Sequence, residues 1–73
     1  YHIPKGSIIA VSIYNIHHNT KYWEQPSLFH PERFTIDKVR QRERFAFIPF
    51  GAGPRICIGS HYAVMEAFLI LSI

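Results

Sequence analysis

Cysteine is nearly absent from this chain of 73 residues, which contains a single one, Cys57. One cysteine cannot form a disulfide within the chain, and no cysteine–histidine cluster at zinc-site spacing takes its place. Domains of this size usually need such a staple, because their hydrophobic cores are too small to stabilise them alone. The sequence therefore excludes a disulfide-rich scaffold and a small structural zinc module.

Strong charge and long hydrophobic runs are lacking as well. The formal net charge is only +3, which allows an acidic partner surface but does not require nucleic acid. No nucleic-acid-binding module is recognisable, and no stacking aromatics accompany the basic side chains, so nucleic acid is not an expected partner. The final apolar run, residues 67–73, is far shorter than a membrane span.

Apolar side chains, by contrast, are abundant. Hydrophobic residues make up 48% of the chain and aromatic residues 15%, more apolar surface than a stand-alone unit of this size easily covers. The chain begins in a segment that reads as a strand and ends in a helical apolar run with no cap. We therefore expect a fragment of a longer protein.

The single cysteine lies in a glycine-rich loop, residues 50–59, ahead of a helix predicted over 58–73. Gly51 and Gly53 allow the chain to turn tightly. Cys57 would stand at the start of the helix, where unpaired amides and the helix dipole favour negative charge. A thiolate is a soft and strongly donating metal ligand. The loop thus predicts a sulfur presented to a metal.

The residues around the cysteine suggest which metal group this is. Gly59, Ala63 and Ala67 are spaced to form one smooth ridge on a helix, against which a flat macrocycle or another helix could lie. Arg55 offers a forked cation suited to a carboxylate. Together these features favour haem, whose propionates supply the carboxylates.

Two other interpretations of the cysteine carry less weight. Cys57 could be a small buried residue with no ligand, as lone cysteines often are, but that would leave the rest of the loop unexplained. His61 is the nearest histidine and suggests a cysteine nucleophile. Such a nucleophile needs an open sulfur, whereas we expect this loop to bury it.

The loop resembles the haem-binding motif F-x-x-G-x-R-x-C-x-G of the cytochrome P450 family. It matches at Phe50, Gly53, Arg55, Cys57 and Gly59, a pattern that should arise by chance about once in 10⁵ chains of this length. The resemblance implies a mainly α fold with small β-sheets, of which this chain covers a C-terminal piece. It also implies that Cys57 is the axial ligand of the haem iron. The haem-binding residues would be Pro49, Phe50, Gly51, Gly53, Arg55, Cys57, Ile58, Gly59 and Ala63.

With this resemblance the chain divides into four segments: a hairpin (1–13), a short helix and meander (14–44), the haem-binding loop (45–59) and a truncated proximal helix (58–73). The hairpin is predicted to turn at Pro4 to Gly6 in a type I turn, with proline second and glycine fourth. One or two helical turns are predicted over Tyr14 to His18. The adjacent His17 and His18 diverge on a helix or strand, so a shared metal is not expected.

Two basic features precede the loop. The resemblance implies that Arg33, in Pro31-Glu32-Arg33-Phe34, completes a triad with a Glu-x-x-Arg motif that these residues do not contain; the alternative is a solvated arginine. The basic run 38–44 is either an exposed loop whose charges face water or a docking surface for an acidic electron-donor protein.

The function implied by the resemblance is that of a haem-thiolate monooxygenase. It would contain haem b, take electrons from NAD(P)H through a flavoprotein reductase or a ferredoxin docked near the proximal face, and hydroxylate a small hydrophobic substrate. Arg55 and the full Pro-Glu-Arg-Phe segment are similar to microsomal-type members, which favours a diflavin reductase. Localisation is left open between the cytoplasm and the cytosolic face of a membrane, and a secreted protein is not expected. A haem-thiolate isomerase or dehydratase that needs no external electrons, or a non-catalytic remnant, remains an alternative.

Overall fold

A computed structural model describes all residues, 1–73. It contains three α-helices, α1 (Ile13–His17), α2 (Ile36–Gln41) and α3 (Ser60–Ser72), and two short 3-10 turns, Pro31–Phe34 and Gly53–Arg55. No strand forms, and the sole β-type pairing is an isolated bridge between Pro49 and Gly51. The helices agree with a mainly α fold, whereas the small sheets expected with it do not form within this chain.

The turn near the N-terminus forms one residue later than predicted. The Ser7 amide donates to the carbonyl of Pro4 at 3.2 Å, which makes Gly6 the third turn residue. Gly6 has a φ of 87°, as a type II turn requires and as only glycine adopts easily, so the predicted type I register is wrong. Residues 8–12 continue without strand pairing. The predicted hairpin over 1–13 is therefore present only as its turn, since two strands alone are marginally stable.

Helix α1 matches the helix predicted over 14–18 to within one residue. It begins after Ser12, whose hydroxyl accepts the Asn15 amide at 3.3 Å and caps the helix. It ends before His18. The Trp23 amide then donates to the carbonyl of Asn19 at 3.0 Å, which turns the chain back over the helix.

The core of the chain is an aromatic cluster. Only Trp23 and Ala46 are buried, with 5% and 3% of their surface exposed. The Trp23 ring lies 6.1 Å from that of Phe34 and 6.0 Å from that of Phe47, and the two phenylalanine rings are 5.0 Å apart. The indole N–H donates to the carbonyl of Ile16 at 3.1 Å. We call Trp23, Phe34 and Phe47 the aromatic cluster; it joins α1 to the segment that enters the cysteine loop.

Helix α2 contains the first four residues, 38–41, of the basic run 38–44. It begins after Thr35, whose carbonyl accepts the Val39 amide at 2.9 Å. Asp37 lies in its first turn and Arg40 in its last, an arrangement that complements the helix dipole. Residues 38–41 are therefore helical and not a loop, whereas the expectation that they are exposed to water is confirmed.

Helix α3 is exposed over most of its length. It covers 60–72, close to the predicted 58–73, and none of its residues is buried. Its large apolar side chains Phe68 and Leu71 are 70% and 85% exposed. No helix of the structure has both the length and the apolarity needed to cross a membrane.

Candidate functional site

The cysteine loop is closed by hydrogen bonds between its own backbone groups. The Cys57 amide donates to the carbonyl of Phe50 at 3.0 Å, and the Gly51 amide donates to the carbonyl of Ile48 at 3.1 Å. Gly51 and Gly53 both have a φ of 81°, which other residues adopt only with strain. The loop therefore has the tight glycine turns that its sequence predicts.

The sulfur of Cys57 is free and exposed in this chain. The expectation that the loop itself would bury the sulfur is wrong, because the loop holds Cys57 through its backbone amide. Gly59 lies beside the sulfur, and a Cβ built there would be 3.8 Å from the cysteine Sγ. The absence of a side chain at 59 thus keeps one approach to the sulfur clear.

The predicted ridge of small residues starts at Gly59, which immediately precedes α3. The Ala63 amide donates to the carbonyl of Gly59 at 2.9 Å, which places the two residues on successive turns of the helix. Ala67 continues the same spacing within α3. The loop and the helix therefore present the cysteine next to a surface without large side chains.

Arg55 closes the short 3-10 turn Gly53–Arg55 and is exposed. Its guanidinium takes part in none of the side-chain hydrogen bonds of the chain. The one ion pair of the structure joins His30 to Glu32 at 3.4 Å. Arg55 is thus available for an acceptor that the chain does not supply.

The other predicted site residues lie around the cysteine in different settings. Pro49 pairs with Gly51 in the isolated bridge, and the Phe50 side chain is half-buried. Ile58, directly after the cysteine, is fully exposed. That the Phe50 ring packs close to the sulfur stays a prediction.

These residues fit a haem better than a metal ion held by side chains alone. No three His, Cys, Asp or Glu side chains come together anywhere in the structure, whereas a protein zinc site takes three or four. A haem iron needs only one proximal protein ligand. An accessible thiol, a glycine beside it and an unpaired arginine two residues away match that requirement.

A model of the cytochrome P450 family matches residues 1–73, the whole chain. The chain belongs to the cytochrome P450 family. The family resemblance of the cysteine loop is thereby confirmed, and membership implies a haem cofactor at the level of the family.

Curated P450 proteins from distant organisms match this chain. It is 46% identical over 70 residues to the cytochrome P450 monooxygenase alnD of Emericella nidulans, covering 96% of this chain and 13% of that protein. It is 47% identical over 64 residues to cytochrome P450 4p1 of Drosophila melanogaster, covering 88% of this chain and 12% of that protein. It is 42% identical over 71 residues to cytochrome P450 4F2 of Homo sapiens, covering 97% of this chain and 14% of that protein. The chain thus spans between 12% and 14% of the length of these relatives.

In this P450 chain Arg33 binds backbone carbonyls instead of facing water. Its guanidinium donates to the carbonyls of Glu24 at 2.8 Å, Gln25 at 3.1 Å, Leu28 at 2.8 Å and His30 at 3.2 Å. The alternative of a solvated arginine is therefore wrong. Membership of a triad with a Glu-x-x-Arg motif stays a prediction.

Arg42 is a structural residue that the sequence did not reveal. Its guanidinium lies 4.2 Å from the centre of the Trp23 ring and 5.1 Å from that of Phe34, and it donates a hydrogen bond to the carbonyl of Arg33. Burial, and then the neighbouring Arg33, lower the pKa of Arg42, which remains a cation at neutral pH. Its partners are distant in sequence, so no local spacing signals this role.

His17 and His18 diverge, as predicted. The His17 ring lies 5.2 Å from that of Phe47 and its Nε2 accepts the Ile48 amide at 2.9 Å. The His18 ring stacks on Tyr14 at 4.1 Å. The sequence gave no sign of the contact between His17 and the segment that enters the cysteine loop.

Proposed function

We propose that this chain carries the proximal haem-thiolate centre of a P450 monooxygenase, with Cys57 as the axial ligand of the iron. The observation that carries the proposal is the cysteine loop itself, in which the Cys57 amide is bound to the Phe50 carbonyl at 3.0 Å while the sulfur is exposed. The family match over the whole chain supports it, and one relative is named as a monooxygenase.

The residues of the loop have separate roles in this proposal. Cys57 binds the iron, and Gly59 and Ala63 let the macrocycle approach because neither carries a large side chain. Arg55, which finds no acceptor in the chain, donates to a haem propionate. The shape of the loop around them is set by Pro49, Phe50, Gly51, Gly53 and Ile58.

The chemistry supplied by a bound haem b is the activation of dioxygen for insertion of one oxygen atom into an organic substrate, with electrons that originate from NAD(P)H. The chain's contribution is to hold one thiolate at a fixed position. It does so through the closed turns at Gly51 and Gly53 and through the amide of Cys57, whose hydrogen bond leaves the sulfur free for the metal.

A small hydrophobic substrate and an electron-donor protein are the partners in this proposal. Since Arg42 is folded onto the aromatic cluster, the basic docking surface consists of Lys38 and Arg40 on α2 together with Arg44. These exposed cations suit an acidic patch on a flavoprotein reductase, of the diflavin type, or on a ferredoxin.

The test is the carbon monoxide difference spectrum of the reduced full-length protein that contains this chain. We expect a strongly red-shifted Soret band, its loss in Cys57→Ser, and a histidine-type spectrum in Cys57→His. The Cys57→His variant separates loss of the ligand from loss of the fold, because it retains haem. A parent protein that binds no haem, or binds it with a histidine-type spectrum, would overturn the proposal.

Dependence of turnover on electrons tests the monooxygenase activity separately. We expect substrate oxidation only with NAD(P)H and a reductase present, and slower reduction when Lys38 and Arg40 are both changed to Met. Turnover without any electron source would instead indicate an isomerase or dehydratase.

A further inference from the structure

One side-chain hydrogen bond connects the cysteine loop to a distant part of the chain. The Ile48 amide donates to Nε2 of His17 at 2.9 Å, across 31 residues of sequence. The other side-chain hydrogen bonds of the structure join residues at most nine positions apart, such as Arg33 and Glu24. The position of the loop relative to α1 therefore depends on this histidine to a degree that no other polar side chain shares.

The bond requires a neutral imidazole. Because Nε2 of His17 accepts the proton of an amide, the ring proton must reside on Nδ1. The ring is half-buried, 5.2 Å from the Phe47 ring and 6.2 Å from the Trp23 ring. These aromatic contacts hold the imidazole in the orientation that aims Nε2 at Ile48.

Two backbone hydrogen bonds connect the segment that begins at Ile48 to the cysteine. The Ile48 carbonyl accepts the Gly51 amide at 3.1 Å, and the Phe50 carbonyl accepts the Cys57 amide at 3.0 Å. The histidine therefore fixes the start of a short and tightly turned path whose end carries the sulfur.

We propose that His17 is a positioning residue for the haem ligand: its neutral imidazole, by accepting the Ile48 amide, sets the position of the cysteine loop and so of the Cys57 sulfur. This inference rests on the proposed haem-thiolate function. It assigns to His17 a role outside the haem pocket, exerted through the backbone.

Protonation of His17 would break the contact. An imidazolium has two donors and no acceptor, so its Nε2–H would face the N–H of Ile48. His17 lines a surface cleft together with three other titratable side chains, those of His18, His30 and Arg33. None of the three is acidic, so no negative charge in the cleft favours the cationic form of His17.

The pKa of His17 also indicates that the folded chain favours the neutral imidazole. Burial, and then His18, lower this pKa from its ordinary value of 6.5. Between the lowered pKa and 6.5 the unfolded chain binds more protons than the folded one. The free energy of unfolding therefore falls as the pH drops through this window, and the loop is held firmly above it.

The experiment compares three variants of the full-length protein: His17→Phe keeps a ring but loses the acceptor, His17→Gln offers an amide oxygen as acceptor, and His18→Phe is the matched control. Two quantities are measured as a function of pH. They are the fraction of the reduced carbon monoxide complex with the thiolate-type band, and the hydrogen-exchange rate of the Ile48 amide.

In the parent we expect the thiolate-type fraction to be constant above pH 6.5 and to fall below it. His17→Gln should keep the high fraction and lose the acid step, because its amide does not titrate. His17→Phe should have a lower fraction at every pH, with the Ile48 amide exchanging about five- to tenfold faster, as expected for loss of one hydrogen bond. His18→Phe should match the parent in both measurements above pH 6.5, with its acid step moved toward 6.5 because His18 no longer lowers the pKa of His17.

The proposal is overturned if His17→Phe matches His18→Phe in both measurements, or if His17→Gln retains the acid step. Failure of the proposed function looks different: no variant and no parent would then show the thiolate-type band. The exchange rate of the Ile48 amide would still report whether His17 holds the loop.

Discussion

The aromatic cluster and helix α3 are both rich in apolar side chains, yet they differ in what covers them. In the cluster Trp23 is 5% exposed and Phe34 and Phe47 are 46% and 42% exposed, whereas Phe68 and Leu71 of α3 are 70% and 85% exposed. The cluster draws its rings from segments far apart in sequence, which fold onto one another. The side chains of α3 come from one helix, and no other part of the chain packs on them.

The difference separates two sources of stability. Burial of apolar surface contributes about 25 cal/mol per Å², and within the cluster Trp23 obtains nearly all of it from this chain, Phe34 and Phe47 a part. The apolar side chains of α3 can obtain it only from a surface that the chain does not supply, as large exposed apolar patches usually indicate. The cysteine loop lies between these regions: it is anchored to the cluster on one side and open beside α3 on the other.

Removing the central ring of the cluster should have the largest effect. Trp23→Ala in the full-length protein should lower the free energy of unfolding by about 3–5 kcal/mol, because it removes a buried ring and leaves a cavity. Chemical denaturation measures the change. The neighbouring Tyr22, which is partly exposed and outside the cluster, is the control, and Tyr22→Ala should cost less than about 1 kcal/mol. Equal losses for the two variants would contradict the cluster's role as the core.

Arg42 should matter for stability, and its neighbour on α2 should not. Arg42→Met removes a cation over two rings and a hydrogen bond to the Arg33 carbonyl, and should cost about 2 kcal/mol. Arg40→Met should change stability by less than about 0.5 kcal/mol but slow reduction by an acidic electron donor. If the two variants exchange these effects, Arg42 belongs to the docking surface and the structural assignment is wrong.

Local sequence signals identified α1, α3 and the glycine turns of the cysteine loop, whereas the register of the Gly6 turn was wrong. Ser12 and the proline and glycine residues account for α1, for the irregular segment around Pro31 and for the tight turns of the cysteine loop. The five-residue motif identified the family, because its residue types act within one short loop.

The remaining features depend on contacts between distant residues. Arg42 on Trp23 and His17 on Ile48 arise only when separate segments pack, so no periodicity reveals them. The sulfur of Cys57 was expected to be buried, yet the exposure of a side chain depends on what folds around it. The strands expected to flank the Gly6 turn failed for a similar reason, since pairing requires more than a turn.

In the cysteine loop, backbone strain and crowding of the sulfur can be tested by separate substitutions at Gly53 and Gly59. Gly53→Ala adds a side chain at a φ of 81° with open space around it, so backbone strain alone should cost about 1 kcal/mol. Gly59→Ala places a Cβ 3.8 Å from the Cys57 Sγ without such a φ. It should leave the stability of the haem-free protein within about 0.5 kcal/mol and lower its haem content. Denaturation and haem quantification distinguish the two; equal haem content in Gly59→Ala and the parent would show that position 59 is not near the cofactor.

The smallest predicted effect is a gain in stability, from a substitution at Gln25, close in sequence to Trp23 of the cluster. Gln25 has a φ of 45°, the one positive value at a residue other than glycine. Gln25→Gly should relieve this strain and raise the free energy of unfolding by about 0.5–1 kcal/mol, after the entropic cost of glycine is subtracted. Glu24→Gly, at an ordinary φ, should instead lower it by about 0.5–1 kcal/mol. A loss of stability in both variants would show that Gln25 is not strained.

The way Arg33 binds its surroundings has a consequence for sequence drift. Its four hydrogen bonds all end on main-chain carbonyls, and every amino acid supplies one. The side chains at 24, 25, 28 and 30 can therefore be exchanged without changing what the guanidinium recognises, whereas the arginine cannot be replaced even by lysine, which lacks the fork. Arg33 alone thus preserves the course of the backbone, while the amino acids at the four positions it binds can be substituted.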